Sequence, residues 1–163
     1  MALYSLTRTT EPYPVRRLTS EEIPQALALC WRVFQEFEAP EYSPAGVAAF
    51  RESLDDPERT RSLTFYGAFD EEKLVGVLCM RPPQHIADFF VDAAYHRRGI
   101  GRRLFEAMRK DFNQQEFTVN SSPYAIKVYQ HLGFEPTAGE QEENGLRFTP
   151  MKYGSDKRIN EGS

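Results

Sequence analysis

Only two cysteines occur in 163 residues, Cys30 and Cys79, with no Cys-x-x-Cys and no paired histidine spacing, which excludes a disulfide framework and a zinc site as organising features. Both lie in apolar surroundings and read as buried, reduced thiols. No stretch approaches the ~20 consecutive apolar residues that a membrane helix requires. The opening segment MALYSLTRTTEPYP lacks the continuous apolar region of a secretory signal. The expectation is a soluble, cytoplasmic protein. Cations are also in short supply, 20 Lys and Arg against 24 Asp and Glu, so the net charge is −4 and the pI about 5.5. A chain so balanced has no broad basic face for nucleic acid, which is bound through many phosphate contacts.

What is present is a core and an uneven charge layout. Hydrophobic residues make up 40% and aromatic residues 13% of the chain, with twelve Phe and eight Tyr, enough to bury a real interior. Between His96 and Lys110 stand Arg97, Arg98, Arg102, Arg103, Arg109 and Lys110 with one acid, Glu106, a local charge of +5. From Glu21 to Glu58 nine acids face two arginines, a local charge of −7.

Thr19-Ser20-Glu21-Glu22 matches a capping box that starts a helix, and Ile23, Leu27, Cys30, Trp31 and Phe34 form its apolar stripe. Ser43-Pro44 opens a second helix with Val47, Phe50 and Leu54 on one face. Two β-rich runs, 62–69 and 73–80, flank Asp70-Glu71-Glu72 as a hairpin, and a third run follows over 85–92. Ile100, Leu104 and Met108 share a helix face, 116–120 reads as a strand, Ser122-Pro123 opens a short helix stopped by Gly133, and 145–153 is a last strand. This order predicts a mixed α/β domain over 13–153, after an N-terminal extension at 1–12 and before a polar, disordered tail at 154–163.

The segment that carries chemistry is Val91-Asp92-Ala93-Ala94-Tyr95-His96-Arg97-Arg98-Gly99-Ile100-Gly101-Arg102-Arg103-Leu104, a strand passing through a loop into a helix. Helix N-termini present free amides and partial positive charge, and glycines let an anion approach the backbone. A P-loop would need Gly-Lys-Ser/Thr and a dinucleotide fold a third glycine near Leu104; neither fits.

With these residues the chain resembles the GNAT superfamily of N-acetyltransferases, whose pyrophosphate motif is Arg/Gln-x-x-Gly-x-Gly/Ala. His96-Arg97-Arg98-Gly99-Ile100-Gly101 fills it, with His in place of Arg or Gln at the first position. A second block, Asn120-Ser121-Ser122-Pro123-Tyr124-Ala125 and then Val128-Tyr129-Gln130-His131-Leu132-Gly133-Phe134, resembles the family's Asn-x-x-Ala-x-x-x-Tyr-x-x-x-Gly-Phe pattern. The resemblance covers about 13–153 and is strongest over 85–134. It implies a central, mostly antiparallel mixed sheet of six to seven strands flanked by about four helices, with acetyl-CoA as cosubstrate. It further implies that the pantetheine arm runs beside Phe89, Phe90 and Val91. The pyrophosphate would sit on the amides from Arg98 to Leu104, including Gly99, Ile100 and Gly101, and Arg97, Arg98, Arg102 and Arg103 would meet phosphates. Asn120 stands where the family places a cofactor-contacting Asn. Tyr129 stands where it places the tyrosine that protonates the departing thiolate.

A phenol, with a reference pKa of about 10, is chemically suited to that task. Counting by twos along the third strand puts His85, Ala87 and Phe89 on one face and Asp88 with Phe90 on the other. His85, with a reference pKa of about 6.5, is the candidate base, with Asp88 or a water as alternatives. The acidic, aromatic connector between the first two helices supplies Glu36, Glu38, Glu41 and Tyr42 as candidates for binding an amine, a small molecule or a peptide, with Glu140 to Glu142 in the loop opposite. No metal is implied; a homodimer through an exposed final strand is. The expected activity is direct acetyl transfer to an amine. The alternatives are a non-catalytic CoA-binding or protein-interaction module of the same fold, and transfer through a cysteine, which the remoteness of Cys30 and Cys79 from the motif disfavours.

Overall fold

The computed structural model describes residues 12–154. The expected extension, apart from Pro12, and the expected tail from 155 onward lie outside the described residues. Eight strands and five helices follow one another as β1 (Val15–Arg17), α1 (Ile23–Phe37), α2 (Pro44–Asp55), α3 (Pro57–Ser62), β2 (Thr64–Asp70), β3 (Lys73–Arg81), β4 (His85–Val91), α4 (Ile100–Phe112), β5 (Glu116–Ser121), α5 (Ile126–Leu132), β6 (Glu135–Pro136), β7 (Gln141–Glu143) and β8 (Leu146–Gly154).

The starts of the early helices follow from their caps. The Thr19 amide donates to the Glu22 carboxylate at 2.9 Å, a 3-10 turn spans Ser20–Glu22, and α1 continues from it. Its buried stripe is Ala26, Leu29, Cys30, Val33 and Phe34, rotated from the predicted one, so that Leu27 and Trp31 are only half-buried. The Ser43 hydroxyl accepts from the Gly46 amide at 3.2 Å ahead of Pro44 and starts α2. A helix not predicted, α3, begins where the Asp56 carboxylate accepts from the Glu58 amide at 3.0 Å beside Pro57. It buries no whole residue, so it carries no apolar stripe to read.

Three further boundaries depart from expectation. Ser122 closes a turn, accepting from the Ala125 amide at 3.2 Å, and α5 begins only at Ile126. The loop expected at 140–142 contains β7, which pairs antiparallel with β8 from Gln141↔Phe148 to Glu143↔Leu146. Gly154, assigned to the tail, is the last residue of β8 and pairs with Glu116. The sheet therefore has eight strands rather than six or seven, and five helices rather than about four accompany it.

The sheet order is β1-β2-β3-β4-β5-β8-β6 with β7 beside β8, and every pairing is antiparallel except β4 with β5. Helices α1 and α2 cover one face over Phe65, Val77, Cys79 and Phe90. On the other face, α4 and α5 pack over Leu78, Met80, Ile86 and Phe117. Two irregularities in β4 position the site. Cys79 pairs with Asp88 but Met80 with Ile86, so Ala87 is a one-residue bulge. The parallel register with β5 joins only His85 to Thr118 and Ile86 to Val119, after which the two strands separate and leave a wedge between them.

Candidate active site

The loop after β4 is built before the helix that follows it. The Asp92 amide donates to the Val75 carbonyl at 2.8 Å, and its carboxylate accepts from the Ala94 amide at 3.0 Å and from Arg32 at 3.1 Å. Nε2 of His96 donates to the Val91 carbonyl at 2.8 Å, and the ring lies 5.2 Å from that of Phe37. Arg97 (φ 66°) and Gly99 (φ 79°) take left-handed conformations that swing the chain into α4, and a Cβ at Gly99 would meet nothing within 4 Å. The first backbone bond of α4 runs from the Arg103 amide to the Gly99 carbonyl at 3.1 Å. The amides of Ile100, Gly101 and Arg102 precede it and are free of intrahelical partners, at the positive end of a thirteen-residue helix. Of these, Ile100 and Gly101 line a cavity of about 340 Å³ that also reaches Phe89, Val91, His96 and Tyr129.

A second cavity of about 280 Å³ lies between α1, α2, the wedge and the β7–β8 hairpin. Glu38, Phe89, Phe90, Ala125 and Tyr129 line both cavities and form the throat between them. Glu38 follows the last turn of α1 and is half-buried; burial pushes its carboxyl up to about 7, against the opposing hydrogen bond of the Ser122 hydroxyl. Tyr129 is buried, with its ring 5.9 Å from that of Phe89. Burial, with the Glu38 and Asp88 carboxylates, raises its phenol well above the ordinary value, so it is fully protonated near neutrality. Asp88 is buried in the second cavity and pairs with Arg59 of α3 at 3.0 Å. Burial raises its carboxyl even so. Nη1 of Arg59 is buried without a partner among the described residues.

The roof of the second cavity is a set of contacts between the connector and the hairpin. A Cβ on Gly46 would collide with the Gly145 carbonyl, and Gly145 itself has φ 84°, so only glycine at both positions allows this approach. The Arg147 guanidinium donates to the Glu41 carbonyl at 3.2 Å and the Tyr42 hydroxyl to the Arg147 carbonyl at 3.3 Å. Arg147 is also held by Glu140 at 2.9 Å.

The predicted residues divide accordingly. Val91, Arg97, Gly99, Ile100 and Gly101 line the first cavity, Tyr42 and Asn120 the second, and Glu38, Phe89, Phe90 and Tyr129 both. Arg98 donates to the Tyr13 hydroxyl at 2.7 Å, Arg102 to the His131 carbonyl at 2.7 Å, and Arg103 to the Pro12 carbonyl. None of the three lines either cavity, and Leu104 is core. The expected row of free amides from Arg98 to Leu104 is shorter, because the Arg103 amide is already used within the helix.

Glu36 and Glu41 are exposed and line neither cavity. His85 is also outside both, because the Ala87 bulge breaks the alternation: His85 pairs with Arg81 and shares the Asp88 face, opposite Phe89. Its Nδ1 lies 2.8 Å from the Thr118 hydroxyl, and burial together with Arg81 and Arg59 draws it down to about 4, which makes it a weak base. Arg59, Ser122 and the strut made by His96 were not anticipated. The Asp56-Pro57 cap was the available signal for Arg59.

A family model described as an acetyltransferase (GNAT) domain matches residues 38–154. A comparison with curated protein sequences finds no significant match. Among solved structures, the chain is similar to a GCN5-related N-acetyltransferase from Rhodopseudomonas palustris (TM-score 0.77, 20% identity, 89% of this chain and 97% of that one). It is also similar to the PaiA N-acetyltransferase from Thermoplasma acidophilum in complex with coenzyme A (TM-score 0.72, 16% identity, 89% and 100%). An aminoglycoside 6′-N-acetyltransferase complexed with coenzyme A aligns at TM-score 0.59 and 13% identity, over 86% and 96% of the two chains.

Proposed function

The chain belongs to the GNAT acetyltransferase family, and from that premise we propose that it transfers an acetyl group from acetyl-CoA directly to an amine, with Tyr129 as general acid and Glu38, in place of His85, as general base. The observation that carries this reading is the throat, where one phenol and one carboxylate stand between a groove ending in free helix amides and a second, separate cavity.

The groove suits acetyl-CoA: Gly99 keeps the approach open and the amides of Ile100 and Gly101 suit a pyrophosphate. When bound, acetyl-CoA supplies the thioester and a thiolate leaving group. Phe89 to Val91 lie along the groove on the side where β4 has left β5, so their backbone is available to hold the arm. Glu38 takes the proton from the acceptor ammonium, because a carboxyl near 7 is half ionised at neutral pH and matched to proton transfer. Tyr129 holds its proton until the thiolate needs it. His85 is unsuited on two counts, its place outside the cavities and its low basicity.

Tyr129→Phe tests the reading. General acid catalysis is worth ~10²–10⁴-fold, so kcat should fall at least a hundredfold while the dissociation constant of CoA changes less than twofold. Turnover equal to wild type in that variant removes Tyr129 from the chemistry.

A further inference from the structure

The second cavity carries information about the acceptor that the acetyl-transfer reading leaves open. Its charged groups are mostly spoken for. Arg59 pairs with Asp88 through Nη2 while its Nη1 is buried without a partner among the described residues, Arg147 is engaged by Glu140 and the Glu41 carbonyl, and Glu143 is exposed at the rim. Among the described residues Glu38 has no cationic partner, so one ammonium is expected at the throat; a second could reach only Glu143, exposed at the rim, where an ion pair contributes little. Beyond the throat the lining mixes the apolar side chains of Phe34, Phe50, Phe90, Leu146 and Phe148, with Phe50 and Phe90 at 5.8 Å edge to face, with the uncharged polar ones of Ser53, Asn120, Ser122 and Asn144. Overhead, the Gly46–Gly145 approach joins α2 to the hairpin and the Arg147 and Tyr42 hydrogen bonds join the connector to it, so an extended polypeptide has no trough to lie in. A volume of about 280 Å³ sits at the small end of ligand cavities.

We infer that the acceptor is a small monoamine with a ring-sized apolar body, its nitrogen at Glu38 and its ring among Phe50, Phe90 and Phe148, and that polyamines and peptide amino groups are poor acceptors. The inference rests on the acetyl-transfer reading for the reaction, and on the cavity alone for the class of molecule.

The experiment measures free-thiol release from acetyl-CoA with 2-phenylethylamine, n-butylamine, spermidine and a lysine-containing decapeptide. In parallel, the thermal midpoint with CoA present is recorded as 2-phenylethylamine or spermidine is added. The expected result is a kcat/KM for 2-phenylethylamine at least about tenfold above that for n-butylamine, with less for spermidine and none for the peptide. Phe148→Ala should shrink the ring preference below threefold and leave the KM for acetyl-CoA unchanged. Spermidine or the peptide used as well as 2-phenylethylamine overturns the inference while leaving acetyl transfer intact. If no amine releases thiol, the transfer reading fails. The midpoint then decides alone: a rise with 2-phenylethylamine and not with spermidine upholds the acceptor class, and no rise with either overturns it.

Discussion

At the scale of single residues, Glu38 and His85 are shifted in opposite directions by the same cause. Burial disfavours charge, so it raises a carboxyl and lowers an imidazole. For Glu38 the native pKa of about 7 lies above its ordinary 4.5, so ionising it costs the folded state. The associated stability is complete below pH 4.5 and lost as the pH rises through 7. Glu38→Gln should therefore raise the unfolding free energy at pH 8 by up to about 3 kcal/mol, seen in urea titrations. It should also abolish the acidic limb near pH 7 in the kcat/KM profile. A variant that keeps both the limb and the wild-type stability excludes Glu38 as the base. For His85 the sign reverses: its native pKa of about 4 lies below 6.5, so its contribution is present above pH 6.5 and lost as the pH falls through 4.

At the scale of elements, α3 shows how a short segment serves a site without serving the core. Six residues long and burying none of them, it is held by the Asp56 cap and delivers Arg59 to Asp88. Asp56→Ala should lower stability by about 1 kcal/mol, and the loosened Arg59 should weaken acceptor KM more than acetyl-CoA KM; equal effects on both would deny α3 a role at the second cavity. This element also marks what was legible in the sequence. Amphipathic helices such as α1 and α4 announce themselves by period, the continuous apolar runs of β2 and β3 by β-rich composition on either side of a turn, and the Gly99-Ile100-Gly101 turn by its residue types. Helix α3 has no period to detect. Ala87 defeats counting by twos because a bulge is an insertion in pairing, invisible until the partner strand is known. Glu38 stood among several equivalent connector acids, and only its half-buried place in the lining of both cavities singles it out from the exposed Glu36 and Glu41.

At the scale of the whole molecule, the +5 stretch 96–110 and the −7 stretch 21–58 contribute to opposite sides of one throat. Arg97 with the amides of α4 faces the first cavity, and Glu38 opens onto the second. Much of the remaining charge is structural: Glu22 with Arg16, Arg51 with Asp55, Arg109 with Glu106. The two halves of the sheet meet only where β4 touches β5, a seam two residue pairs long, with the His85–Thr118 contact as a rivet across it. His85→Ala should leave the fold intact but speed amide exchange at Ile86 and Val119 by about tenfold, the worth of one buried hydrogen bond; unchanged protection would show that the seam holds without it. The wedge opens where this seam ends, so the His85–Thr118 contact marks the point from which the two half-sheets part, much as a hinge pin marks the axis of a door.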